Sequence, residues 1–153
     1  MSTKEISIFD YTDFSLGRKF GLMGKLYLNI LSERLKHLGI EKQFSVLVLL
    51  DKRGDKCCQQ FISDTLHIDK TMMVGVIDDL RKKGFITRTQ NPADKREYWI
   101  RLTPKAKKHM PEIKEAVQDI NKSILKGISP AVIADLNTCL NSIYKNLKEK
   151  STH

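Results

Sequence analysis

Three cysteines, four prolines and no aliphatic run longer than the five residues from Val46 to Leu50 leave this 153-residue chain without the materials of several protein classes. A run of five is far below the roughly 20 residues a membrane span needs, so no transmembrane segment is expected. Cys57 and Cys58 are adjacent and Cys139 stands apart, which gives no disulfide framework and fits a reducing cytoplasm. His37, His67, His109 and His153 are widely spaced, no HExxH or paired CxxC occurs, and no glycine-rich phosphate loop follows a strand. Neither a metal, a cofactor nor an enzymatic reaction is therefore expected. Met1 to Phe20 lacks the basic start, apolar centre and small-residue cleavage site of a signal peptide, so secretion is not expected. There is no internal repeat. What remains, 41% hydrophobic and 29% charged, is the composition of a chain that buries a core, sized for one domain or one core with an oligomerisation extension.

The net charge of +9 is unevenly distributed. Residues 1–69 and 111–153 each carry a balance of +1, whereas residues 70–110 hold 11 Lys/Arg against 4 Asp/Glu. A basic segment this concentrated attracts polyanions, and nucleic acid becomes the leading partner, although charge runs are also commonly solvated faces.

Leu16, Phe20, Met23, Tyr27 and Ile30 recur at helical spacing, and a second row follows in Leu28, Leu31, Leu35 and Leu38. Together they predict a helix over 16–38 with a broad buried face, ended by a left-handed Gly39. A second helix is expected from about Glu41 to Lys52, closed by Gly54-Asp55, and a third from about Cys58 to His67. Asp69 is a good N-cap for a fourth, whose Met73, Val76, Ile77 and Leu80 form one buried face and which Gly84 stops. The period then changes from 3.6 to 2. Phe85 to Arg88 reads as a strand, Asn91 to Lys95 as a polar turn, and Tyr98, Ile100 and Leu102 alternate with polar or aromatic neighbours, giving a β-hairpin with a basic tip. Thr103-Pro104 and Ser129-Pro130 each start a further helix. Pro111 should kink or interrupt the first of these after Met110. Ile133, Leu136, Leu140, Ile143 and Leu147 have heptad-like spacing, which suits either packing within the chain or a dimer seam, and Cys139 reads as core.

A short helix, a tight turn, a second helix and a hairpin, with positive charge gathered in the last two, follow the logic of a winged helix-turn-helix. A helix fits the major groove of double-stranded DNA, while a hairpin tip reaches the neighbouring minor groove or phosphates. On the fourth helix the face opposite the core presents Thr71, Val74, Gly75 and Asp78, with Lys70 and Met72 near its start. The fold class expected is mainly α with a small β-hairpin wing: 1–38 and 104–153 as dimerisation helices around a DNA-binding module at 39–103, one compact domain overall.

The chain resembles the MarR-type transcriptional regulators over nearly its whole length. The resemblance is carried by Leu66-His67-Ile68-Asp69-Lys70-Thr71-Met72-Met73-Val74, Asp79 to Arg88, Asn91-Pro92-Ala93-Asp94-Lys95-Arg96 and Ile100-Arg101-Leu102-Thr103 in order. It implies a cytoplasmic homodimer on pseudo-palindromic DNA, often a repressor, often released by a small ligand or an oxidant. By position it implies that Arg96 enters the minor groove and that Asp94 holds the wing by pairing with an arginine, with Lys95 between them. A narrow minor groove concentrates negative potential, which suits a guanidinium. Alternatively Asp94 and Arg96 make only a surface ion pair, worth at most about 1 kcal/mol. Gly75 departs from the family, where a long polar or basic side chain is frequent. It allows either close backbone approach to DNA or a less sequence-specific reader. Cys58 stands where relatives usually have a hydroxyl cap, so it is either a redox-sensitive thiol or a small half-buried hydrophobe. Tyr11, Phe14, Arg18 and Tyr27 are the residues available to line a ligand pocket for a small aromatic effector, or else are core. The other functional class that fits is a winged-helix interaction module that binds protein or DNA structure without sequence choice and has no effector.

Overall fold

The computed structural model describes residues 8–11, 15–40, 43–54 and 57–151. Among them are six α-helices and one small sheet, in two compact units divided between Gln118 and Asp119.

In the first unit a 3-10 turn, Ile8–Asp10, precedes α1, Leu16–Leu35, whose Ser15 hydroxyl accepts from the Arg18 N–H at 3.3 Å. The last expected turn of α1 tightens into a 3-10 turn, Lys36–Leu38, and Gly39 caps it at φ 65°, donating to the Lys36 carbonyl. Of the two apolar rows on α1 only Leu31 and Leu35 are buried; Leu16, Met23, Leu28 and Ile30 are exposed. The broad buried face expected from spacing is thus not formed within one chain, because periodicity reports an apolar face without supplying what covers it.

Helix α2 is Phe44–Arg53, starting later than expected, and Glu41 lies outside the described residues. Gly54 ends it at φ 77° and donates to the Leu50 carbonyl; Asp55 is also outside the described residues. A two-residue strand that spacing did not foresee, β1 at Cys57–Cys58, precedes α3, Gln59–Leu66. Helix α4, Lys70–Lys82, follows a turn in which His67 takes the left-handed conformation, φ 51°. Ser63 secures that turn, its hydroxyl donating to the Ile68 carbonyl at 2.5 Å.

Strands β2, Ile86–Gln90, and β3, Tyr98–Leu102, pair antiparallel from Ile86↔Leu102 to Gln90↔Tyr98, and β1 adds on the far side of β3 to give the order β1-β3-β2. Thr103 joins the hairpin base to α5, Pro104–Ile124: its Oγ1 donates to the Gly84 carbonyl at 2.7 Å and accepts from the Ala106 N–H at 3.1 Å. Pro111 does not interrupt α5. A proline removes one hydrogen bond, here toward the Lys107 carbonyl, and at this exposed position water can serve that carbonyl. Leu31, Leu35, Leu47, Ile62, Met73, Ile77, Leu80, Phe85, Ile100 and Ile113 make the centre of the core of this unit.

The second unit takes the end of α5 and α6, Pro130–Lys150, which starts on the Ser129 cap as expected. No residue of α6 is buried. Cys139 is accordingly exposed, not core, and Val132, Leu136, Leu140, Tyr144 and Leu147 form an exposed apolar row.

Candidate nucleic-acid interface

Two parts of the first unit carry the candidate site, α4 and the hairpin tip. Asp69 fixes the start of α4, its Oδ1 accepting from the N–H groups of Thr71 (2.8 Å) and Met72 (3.4 Å). That phase buries Met73, Ile77 and Leu80 and leaves Lys70, Thr71, Met72, Val74 and Gly75 all exposed. The far end of α4 is moored to the segment after α1. Lys83 Nζ donates to Asp79 at 2.6 Å and to the Gly39 carbonyl, and Asp79 also accepts from Gln43 at 2.5 Å. The Lys83 hydrogen bond, helped by that from Gln43 and opposed by burial, holds the Asp79 carboxyl below its ordinary value. A depressed carboxyl stabilises the fold above its ordinary titration range and ceases to do so as pH falls through the lowered value, so this mooring weakens only in acid.

The hairpin tip, residues 91–97, is tied by its own side chains. Asn91 is buried at its base; its Oδ1 accepts from the Ala93 N–H at 2.9 Å and its Nδ2 donates to Glu97 at 2.5 Å. Gln90 donates to the Lys95 carbonyl at 2.7 Å. Asp94 accepts from the Arg96 N–H at 2.9 Å and stands 3.6 Å from Arg96 Nε, so the arginine it pairs with is Arg96 itself. The Arg96 side chain is 95% exposed. A rigid backbone thus presents a guanidinium to solvent with little of it spent on the protein.

Two grooves of 310 Å³ each flank these parts. One is lined by Gln59, Gln60, Ser63, Lys70, Thr71 and Val74, the other by Cys58, Gln59, Gln60, Arg88, Asp94, Arg96, Glu97 and Tyr98. Gln59, Gln60, Arg88 and Tyr98 were not among the residues singled out by sequence. Arg88 stacks over the Tyr98 ring, 4.8 Å from its centroid. The two are diagonal neighbours, since Arg88 faces Ile100 and Tyr98 faces Gln90. The alternation of the hairpin carries that signal, but only once the register is known.

Beyond its own helix backbone, nothing lies within 4 Å of the Cβ that a residue at position 75 would carry. Gly75→Ala should therefore raise stability by about 1 kcal/mol, as in any exposed helix interior, which thermal melting would detect. If the backbone there approaches DNA closely, the same methyl lowers DNA affinity; if not, affinity stays the same, and titration of one duplex with both proteins separates the two readings.

Cys58 is half-buried and caps α3, its Sγ accepting from the Phe61 N–H at 3.5 Å. Burial pushes the neighbouring Cys57 thiol above its ordinary value, more than Arg53 lowers it, which disfavours the thiolate there. Phe14 lies outside the described residues. Tyr11 and Arg18 are exposed and Tyr27 is half-buried. Arg18 lines a 420 Å³ groove with Ile8, Gly17, Gly21, Leu22 and Lys25, and at about 100° per residue Tyr27 falls on the opposite face of α1. Among the described residues, Arg18 and Tyr27 are therefore not brought to one place within α1. Among the described residues no group of three His, Cys, Asp or Glu is placed to hold a metal ion, and no helix is long and apolar enough to cross a membrane.

Residues 41–98 match the MarR family. A MarR family transcriptional regulator from Listeria monocytogenes, in complex with a 26mer DNA, is 27% identical, with 90% of this chain and 91% of that one covered at a TM-score of 0.82. CouR from Rhodococcus jostii RHA1, bound to p-coumaroyl-CoA, is 25% identical over 84% and 91% of the two chains at 0.74. Wild-type MarR from E. coli in its apo form is also 25% identical, over 85% and 97%, at 0.70.

Proposed function

We propose, since the chain belongs to the MarR family of winged helix-turn-helix transcriptional regulators, that it is a homodimeric repressor. It binds a pseudo-palindromic operator and is released by a small aromatic ligand. The observation that carries the DNA-binding part is the pairing of an exposed α4 face with a self-braced hairpin tip that ends in an unburied guanidinium. In this reading Lys70, Thr71, Met72, Val74 and Gly75 face the major groove, and Asp94, Lys95 and Arg96 set the wing in the minor groove. Residues 39–103 form the reading module. The segments 1–38 and 104–153 pair two copies; the exposed apolar rows on α1 and on α6 support this, because water-exposed rows of that length are normally covered. The DNA complex of the Listeria regulator supports the operator, and the acyl-CoA bound to CouR supports an organic effector.

A second reading is favoured by one observation: of Lys70, Thr71, Met72, Val74 and Gly75 only the first two carry a hydrogen-bonding side chain, which leaves little for reading base edges and suits binding without sequence choice. Fluorescence anisotropy on DNA from upstream of the gene, against a shuffled duplex and across a salt series, decides between them. A regulator should keep a preference of about 10³ or more and saturate at two chains per site. Equal binding to both duplexes that collapses with salt would replace the regulator by a nonspecific module.

A further inference from the structure

We propose that His37, Glu112 and His109 form a proton-sensitive clasp fastening the end of α1 to α5. The two oxygens of one carboxylate each meet a different imidazole: Glu112 Oε1 lies 2.5 Å from His37 Nε2, and Oε2 lies 3.4 Å from His109 Nδ1. His109 and Glu112 are one turn apart on α5, while His37 comes from the 3-10 turn that ends the α1 segment. All three side chains are partly open to solvent, so protons reach them freely.

Imidazole is the side chain that ordinarily titrates near neutral pH, at about 6.5. Burial pushes the Glu112 carboxyl up, but hydrogen bonds from His109 and His37, with their charges, outweigh it and hold the group below its ordinary value. The carboxylate therefore stays ionised throughout the range in which imidazole in general takes up a proton. A proton on either imidazole turns a hydrogen bond with one ionised partner into an ion pair with two, which strengthens the contact. Lys36 lies 3.7 Å from Glu33, Lys114 pairs with Asp51 at 2.5 Å, and Lys105 donates to the Lys83 carbonyl at 2.7 Å over the Phe85 ring, itself 6.1 Å from the His109 ring. On α5, Lys108 stands one turn before Glu112 and Glu115 one turn after.

The clasped segment is also where α4 is moored, through Lys83 to Gly39 and through Asp79 to Gln43. Acidification thus tightens the support behind the helix that carries the candidate DNA face.

Melting of the full chain between pH 8 and pH 5.5 tests this without any DNA, so its failure is distinct from failure of the DNA-binding reading. The gap in melting temperature between wild type and Glu112→Gln should widen by about 3 °C as pH falls over that range. In a His37→Gln/His109→Gln background, Glu112→Gln should produce no such widening. A gap that is constant with pH, or a widening that persists without the histidines, would overturn the clasp. So would a zinc-induced rise in melting temperature of EDTA-treated wild type that is absent from Glu112→Gln, since it would make the cluster a cation site.

Discussion

A chain carrying Leu136→Glu and Leu140→Glu is expected to sediment as a monomer and to bind its operator about 100-fold more weakly or worse. The weakening follows from lost bivalency, since two linked reading heads gain about 10² to 10⁴ over one. The seam is argued from what α6 leaves uncovered. Val132, Leu136, Leu140, Tyr144 and Leu147 recur every third or fourth residue, and no residue of the helix is buried. Covering one leucine side chain is worth about 1.5–3 kcal/mol, so the whole row represents a large unrealised gain for a single chain. Glutamate at two central positions removes part of that gain and places four carboxylates in the seam of a dimer. Because both residues are already exposed in the monomer, helix content and the core around Phe85 should be unaffected. Analytical ultracentrifugation with circular dichroism checks this, and a variant that remains dimeric with unchanged affinity would place the pairing surface elsewhere.

Arg96→Ala should weaken operator binding about 10- to 100-fold and reduce the slope of log affinity against log salt by about 2, one for each copy in a dimer. Its melting temperature should stay within about 1 °C of wild type. The separation of the two effects comes from geometry. Asp94 keeps the hydrogen bond from the backbone N–H at position 96 whatever the side chain is, and Asn91 holds the rest of the tip. Only the 3.6 Å contact with Asp94 is lost from the fold, and a pair this exposed contributes little. Unchanged affinity in an anisotropy titration would remove the wing from DNA recognition.

The parts of the fold that were legible are those whose chemistry is local. Asp69, Thr103-Pro104 and Ser129-Pro130 start helices because each offers an oxygen to free N–H groups a few residues on, and all three do so. Gly39 and Gly84 end helical segments at positive φ, where other residues are strained. Legibility failed where the answer depends on something distant. Spacing marked the rows of α1 as buried, whereas burial of Met23 or Ile30 needs a covering surface that one chain does not place there. The strand at Cys57–Cys58 is too short to show alternation and exists only because Ile100 and Trp99 lie beside it. For the candidate site, the exposed residues of α4 followed directly from its buried period. The neighbours Gln59, Gln60, Arg88 and Tyr98 required the hairpin register and the packing of α3.

The open space above Gly75 separates two jobs within a single helix. Met73, Ile77 and Leu80 hold α4 in place, while a Cβ at position 75 would meet nothing beyond the backbone of its own helix. A long side chain can be written in there without refolding the module, so if α4 reads DNA as proposed, its preference can be retargeted through a single codon while stability is maintained by the others.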